Sequence, residues 1–96
     1  MDIAKVFNSN GIKPRHICSV LNVSRATASA WVNLRKEPGK ISSDRAHLLA
    51  CAVINAVEEK ELPPPAEFTG RLRDKYIALV LRRYMLRDKD AIPNPL

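Results

Sequence analysis

The chain has 96 residues, of which 46% are hydrophobic, 27% charged and only 5% aromatic, a balance that excludes a disordered chain and describes one globular domain. Its longest apolar stretch, Leu48 to Ile54, is far too short to cross a bilayer, and the start carries no cationic leader followed by a long apolar run, so a soluble cytoplasmic protein is expected. The formal net charge of +6 favours a polyanionic partner, nucleic acid or an anionic surface, although a merely solvated basic surface accounts for it as readily.

No alternation of β-branched and polar residues persists beyond a few positions, and helix formers dominate, which predicts an all-α domain. A first helix is expected from Asp2 to Asn8, with Ile3, Val6 and Phe7 on one face, ending at Asn10-Gly11 because glycine accepts the left-handed backbone that helix ends require. Pro14 suits the first position of a second helix, where its missing N–H is not needed. That helix runs to Leu21 and turns at Asn22-Val23. Ser24 then caps a third, which continues to Leu34 before Arg35-Lys36-Glu37-Pro38-Gly39-Lys40 stops it. Ser42 or Ser43 is expected to cap a fourth helix reaching Lys60, with Asp44 favourably placed against its dipole. This helix is apolar nearly all round and so should be buried on several sides. Leu62-Pro63-Pro64-Pro65 reads as a stiff extended spacer, and Thr69 as the cap of a fifth helix from Gly70 to Asp88. The expected organisation is therefore a core over 1–61, a spacer over 62–69, a C-terminal helix over 70–88 and an irregular tail over 89–96.

Charge is unevenly spread: residues 1–41 carry a net +5, residues 42–65 a net −2 and residues 66–96 a net +3, so any polyanion should meet the two ends of the chain rather than its middle. Cys18 and Cys51 lie far apart in apolar helical stretches, with no CxxC and no histidine at metal spacing, and are expected as free thiols in a reducing compartment. No metal and no cofactor is expected. Enzyme chemistry finds little footing, because His16 and His47 are isolated and neither a paired-carboxylate arrangement nor a phosphate-cradling glycine loop is present.

The segment Ile17-Cys18-Ser19-Val20-Leu21-Asn22-Val23-Ser24-Arg25-Ala26-Thr27-Ala28-Ser29-Ala30-Trp31-Val32-Asn33 carries the most specific pattern. Two short helices crossing steeply need a small residue at their contact, a turn residue tolerant of positive φ, and apolar anchors beneath the second helix. Cys18, Asn22, and the trio Val23, Ala28 and Trp31 supply these, leaving Arg25, Ala26, Ser29, Ala30 and Asn33 on an outer face. Trp31 is read as a core anchor rather than an exposed stacking platform.

This segment resembles the helix-turn-helix of the Cro and lambda-type phage repressor superfamily, most specifically at Ser24-Arg25-Ala26-Thr27, Ser29 and Trp31. It departs from the usual pattern at Cys18, Asn22 and Ala28, all permissible in size. Pro14 stands where many members carry a glutamine that helps orient them on DNA. The resemblance implies a compact five-helix, lambda repressor-like domain. It also implies a transcription regulator, of phage or plasmid repressor type, that binds a palindromic operator in double-stranded DNA as a homodimer through the major groove. On that reading Arg25, Ala26, Ser29 and Ala30 meet base edges, arginine pairing best with guanine. Lys13, Arg15, Ser24, Thr27, Asn33, Arg35, Lys36 and Lys40 hold the phosphate backbone.

The fifth helix shows apolar residues on two faces, Leu72, Tyr76, Leu79 and Val80 in one stripe and Ile77, Leu81, Tyr84 and Met85 in another, and a chain of this size can hardly bury both. Tyr76, Ile77, Val80, Leu81, Tyr84 and Met85 are therefore expected at a dimer interface, while Arg71, Arg73, Lys75, Arg82, Arg83 and Arg87 are available for further phosphate contacts. Two other functions remain open at this level. One is a protein-interaction module, antitoxin-like or adaptor, with DNA binding secondary and a regulatory protein as partner. The other is a nonspecific architectural DNA binder.

Overall fold

A computed structural model describes residues 2–33 and 39–91, without the side chains of residues 40–42 and 88–91. Among these residues there are five helices and no strand: α1 (Ile3–Ser9), α2 (Pro14–Leu21), α3 (Arg25–Val32), α4 (Lys40–Glu58) and α5 (Gly70–Ala91). The compact, all-helical architecture expected from the composition is the one observed.

Local chemistry accounts for most helix ends. The Asp2 carboxylate accepts the Lys5 N–H at 3.1 Å and starts α1. The Asn10 side chain donates to the Val6 carbonyl at 2.8 Å at its end, and Gly11 follows at φ +71°. Pro14 opens α2, whose last turn closes on Asn22 at φ 57° and ψ 41°, a left-handed position that asparagine tolerates better than most residues. Ser24 caps α3, its Oγ accepting the Thr27 N–H at 3.1 Å.

Several boundaries depart from expectation, among them the end of α4, which falls at Glu58 rather than Lys60. α4 begins at Lys40 with Gly39 as its N-cap, not at Ser42 or Ser43, so Asp44 falls beyond the first turn. Glycine is itself an accepted N-cap, and in sequence it directly follows a proline. α5 reaches Ala91 rather than Asp88. The expected extension of α3 to Leu34 and the tail over 92–96 lie outside the described residues.

α4 forms the centre. Ala46, Leu49, Ala50, Ala52, Val53 and Ala56 are completely buried, as its all-round apolar surface requires, with α1 against one side and α5 against another. Small alanines let these neighbours approach closely, and Phe7, Ile12, Ile17, Leu21 and Trp31 complete the core from the N-terminal half. α2 packs on both α3 and α5, and α3 on α1 and α2. The Asn8 side chain donates to the Val32 carbonyl at 2.8 Å, so α1 also holds the end of α3.

The proline segment is no free-standing spacer. Leu62 and Pro64 are buried, Phe68 packs edge-on against Tyr76 at 5.2 Å between ring centres, and the Tyr76 hydroxyl donates to the Glu61 carbonyl at 3.0 Å.

The side chains expected at a dimer interface are corrected by this packing. Ile77, Val80, Leu81 and Tyr84 are at most 3% exposed within a single chain, and Tyr76 and Met85 pack partly buried against the same cluster. They cover α4, whose apolar circumference needs a long partner; they are not left over for a second copy. What α5 leaves outside is Leu72, Leu79 and Leu86.

Candidate nucleic-acid interface

At 3.6 residues per turn, positions 25, 26, 29, 30 and 33 fall within an arc of about 140° on and just beyond α3. Arg25, Ala26 and Asn33 are exposed there, with Ser29 half-buried between them and Ala30 half-buried at the far edge. Ala28 and Trp31 lie on the opposite side, buried in the core, and Val32 is buried beside the edge of the face. The face is shallow, because two alanines and two short polar residues surround one long cation.

Hydrogen bonds pre-set several of these side chains. The Ser24 hydroxyl accepts the Thr27 N–H while donating to Thr27 Oγ1 at 2.8 Å, so both hydroxyls are engaged in the cap. The Asn33 amide donates to Ser29 Oγ at 3.0 Å, bracing the C-terminal edge of the face. Neither α2 nor α3 contains a carboxylate, so nothing on these two helices opposes an approaching anion.

The expected backbone-contacting residues divide. Lys13 is exposed at the start of α2, and its N–H donates to His16 Nδ1 at 3.0 Å. Arg15 is exposed but already paired, its Nε 3.1 Å from the Asp74 carboxylate on α5. Arg35 and Lys36 lie outside the described residues, as does the side chain of Lys40. On α5, Arg82 donates to the Ser19 carbonyl at 2.6 Å, Arg83 pairs with Glu61, and Arg87 pairs with Glu59 at 2.8 Å while lying over the Tyr84 ring. These three arginines are committed within the fold. Arg71 and Lys75 are exposed and make no ion pair among the described residues.

His16, isolated in the sequence, is placed by the fold beside a partner from a distant helix. His16 is 2% exposed. Because Nδ1 accepts the Lys13 N–H, the proton of the neutral ring sits on Nε2, which donates to Asp74 Oδ1 at 2.8 Å. Burial pushes the imidazole below the ordinary histidine range, outweighing the adjacent carboxylate. The hydrogen bond from His16, reinforced by Arg15, holds Asp74 below the ordinary aspartate range. Asp74 thus ties the start of α2 to α5. Arg45 ties the end of α2 to α4 by donating to the Leu21 carbonyl. No sequence signal marks these links, since the α2 and α5 partners stand 58 and 59 residues apart.

Among the described residues no group of histidine, cysteine and carboxylate side chains is arranged to hold a metal ion, and no helix is long and apolar enough to cross a membrane. Compared with known proteins, the chain matches no family model, no curated protein and no solved structure.

Proposed function

We propose that this chain is a sequence-specific DNA-binding regulator, of repressor type, in which α2 and α3 form a helix-turn-helix and α3 enters the major groove. One observation carries the reading. The outer face of α3 is short, polar, free of carboxylates and exposed at Arg25 and Ala26, while Ala28 and Trp31 anchor the helix from beneath. A groove-binding helix needs a protruding donor set among small residues, so that its backbone comes within side-chain reach of the base edges. Arg25 is the base-reading residue in this proposal. Ala26, Ser29 and Ala30 supply close approach, and Lys13 and Asn33 flank them toward the phosphates. The protein acts by binding rather than by catalysis, in the reducing cytoplasm that suits the free Cys18 and Cys51.

The resemblance also implies two chains on a palindromic site with half-sites about 34 Å apart. With Ile77, Val80, Leu81 and Tyr84 in the core, two such chains would meet through other surfaces or through the DNA alone.

Selection of bound duplexes from a random pool tests the reading directly: a defined motif should emerge, with two-fold symmetry if two chains bind together. Arg25→Ala should then weaken binding to the selected site by about 1–3 kcal/mol and relax one base position. An equal loss on every sequence would instead indicate a phosphate contact, and recovery of no motif would remove sequence-specific recognition.

A further inference from the structure

Among the described residues only three large hydrophobic side chains stand exposed, and all three belong to α5: Leu72 at 54%, Leu79 at 65% and Leu86 at 64%. Their spacing is seven and seven. On an α-helix each step of seven drifts by about 20°, so the three form one line about 21 Å long. That line runs opposite the side occupied by Ile77, Leu81 and Tyr84. Isolated exposed leucines are ordinary, but a row recurring every seven residues along one helix supplies one of the two apolar positions per heptad through which helices pair. It is too narrow for a membrane-lying helix, whose apolar face is broad.

The seam is edged by cations. Arg71, Lys75 and Arg82 lie along one side of the leucine row, and Arg83 and Arg87 along the other. Glu61 and Glu59 already engage the second side, whereas Arg71 and Lys75 have no ion-pair partner among the described residues. The one acidic side chain of α5 that is described, Asp74, is turned to Arg15 and His16.

This edging argues against a second copy. In a parallel two-fold pairing the two sides of the row meet each other, so Arg71, Lys75 and Arg82 of one copy face Arg83 and Arg87 of the other. In an antiparallel pairing centred on Leu79 each side meets its own equivalent, so Lys75 of one copy comes beside Arg82 of the other. The antiparallel arrangement sets cation against cation beside the row, where like charges select against pairing, and the parallel one offers Arg71 and Lys75 only arginines already engaged by carboxylates of their own chain.

We infer that the Leu72–Leu79–Leu86 face of α5 is the docking surface for an acidic amphipathic helix of a partner protein, its leucine-type seam on the row and its carboxylates beside Arg71 and Lys75. The inference does not depend on DNA binding. It gives a specific chemistry to the regulatory partner that the sequence left open.

Fluorescence anisotropy with the full chain and two synthetic three-heptad helical peptides tests it. Both peptides carry leucine along one seam; one is flanked by glutamate and the other by lysine. The glutamate-flanked peptide should bind, more weakly as salt rises, and the lysine-flanked one should not. Leu79→Ser should weaken binding by about tenfold or more. The double variant Arg71→Glu, Lys75→Glu should reverse the preference between peptides. Thermal melts of both variants verify folding, which these exposed positions should leave intact. Equal affinity for the two peptides, or binding to neither, overturns the inference. So does self-association in sedimentation that Leu79→Ser abolishes, which would identify a second copy as the occupant. Leu79-dependent binding to phosphatidylserine vesicles in place of the peptide also overturns it, identifying a membrane surface.

Discussion

Asn22 offers the sharpest test of how α3 is set. It lies at φ 57° and ψ 41° between α2 and α3, with an exposed side chain. Substitution there therefore changes backbone cost and little else. In the left-handed region a Cβ crowds the following carbonyl, at about 1–2 kcal/mol for an ordinary residue, and asparagine escapes part of that cost. Asn22→Ala should lose about 1 kcal/mol, and Asn22→Val, with its branched side chain, about 2 kcal/mol. Asn22→Gly should stay within a few tenths of the parent, since relief of the Cβ contact is offset by greater freedom in the unfolded chain. For a domain of this size about 1 kcal/mol corresponds to a fall in Tm of about 4–8 °C. Thermal unfolding followed by far-UV circular dichroism, with urea titrations alongside, reads the series directly. The order Gly, Ala, Val from most to least stable is required. If Asn22→Ala melts with the parent, the turn does not hold a left-handed residue, and the orientation of α3 rests on something else.

Other perturbations probe separate links. Ser24→Ala removes the oxygen that accepts the Thr27 N–H, and should cost about 1 kcal/mol in urea unfolding. Ile77→Ala should cost about 2–5 kcal/mol because Ile77 is buried in the chain's own core, whereas Leu79→Ser should change stability by less than about 0.5 kcal/mol. Equal, small effects at both positions would return Ile77 to the surface. His16 sets a pH dependence whose sign follows from its lowered pKa. The unfolded chain takes up a proton near the ordinary value of 6.5 while the folded ring resists it, so the stability contributed is complete above that value and is lost as pH falls through the folded pKa. Asp74, lowered by its bond to His16, adds a loss of the same sign at lower pH. Urea midpoints should therefore fall between about pH 7.5 and about pH 5.5. His16→Gln should flatten that slope; an unchanged slope would place the proton uptake elsewhere.

Much of the α2–α3 region was legible because its determinants are local. Pro14, Asn22 and Ser24 act on the backbone within four residues, and the alternation of Val23, Ala28 and Trp31 with Arg25, Ala26 and Ser29 sorts inside from outside through helical period alone. The start of α4 was less legible, since Gly39, Ser42 and Ser43 are all competent caps and local chemistry does not rank them. The engagement of Arg15, Arg82, Arg83 and Arg87 was not legible at all. Each reads as a free surface cation until the fold brings Asp74, Ser19, Glu61 and Glu59 beside it.

α5 divides the two kinds of information most clearly. Its two apolar faces, and the surplus they imply for so short a chain, follow from the order of residues, because amphipathicity is a property of one helix. Which face turns inward depends on the surface that α4 presents, and so on contacts between segments distant in sequence. Packing against α4 committed Ile77, Val80, Leu81 and Tyr84 to the core and left the three leucines spaced seven apart outside. A helix carries its own periodicity, but burial is settled by its neighbours.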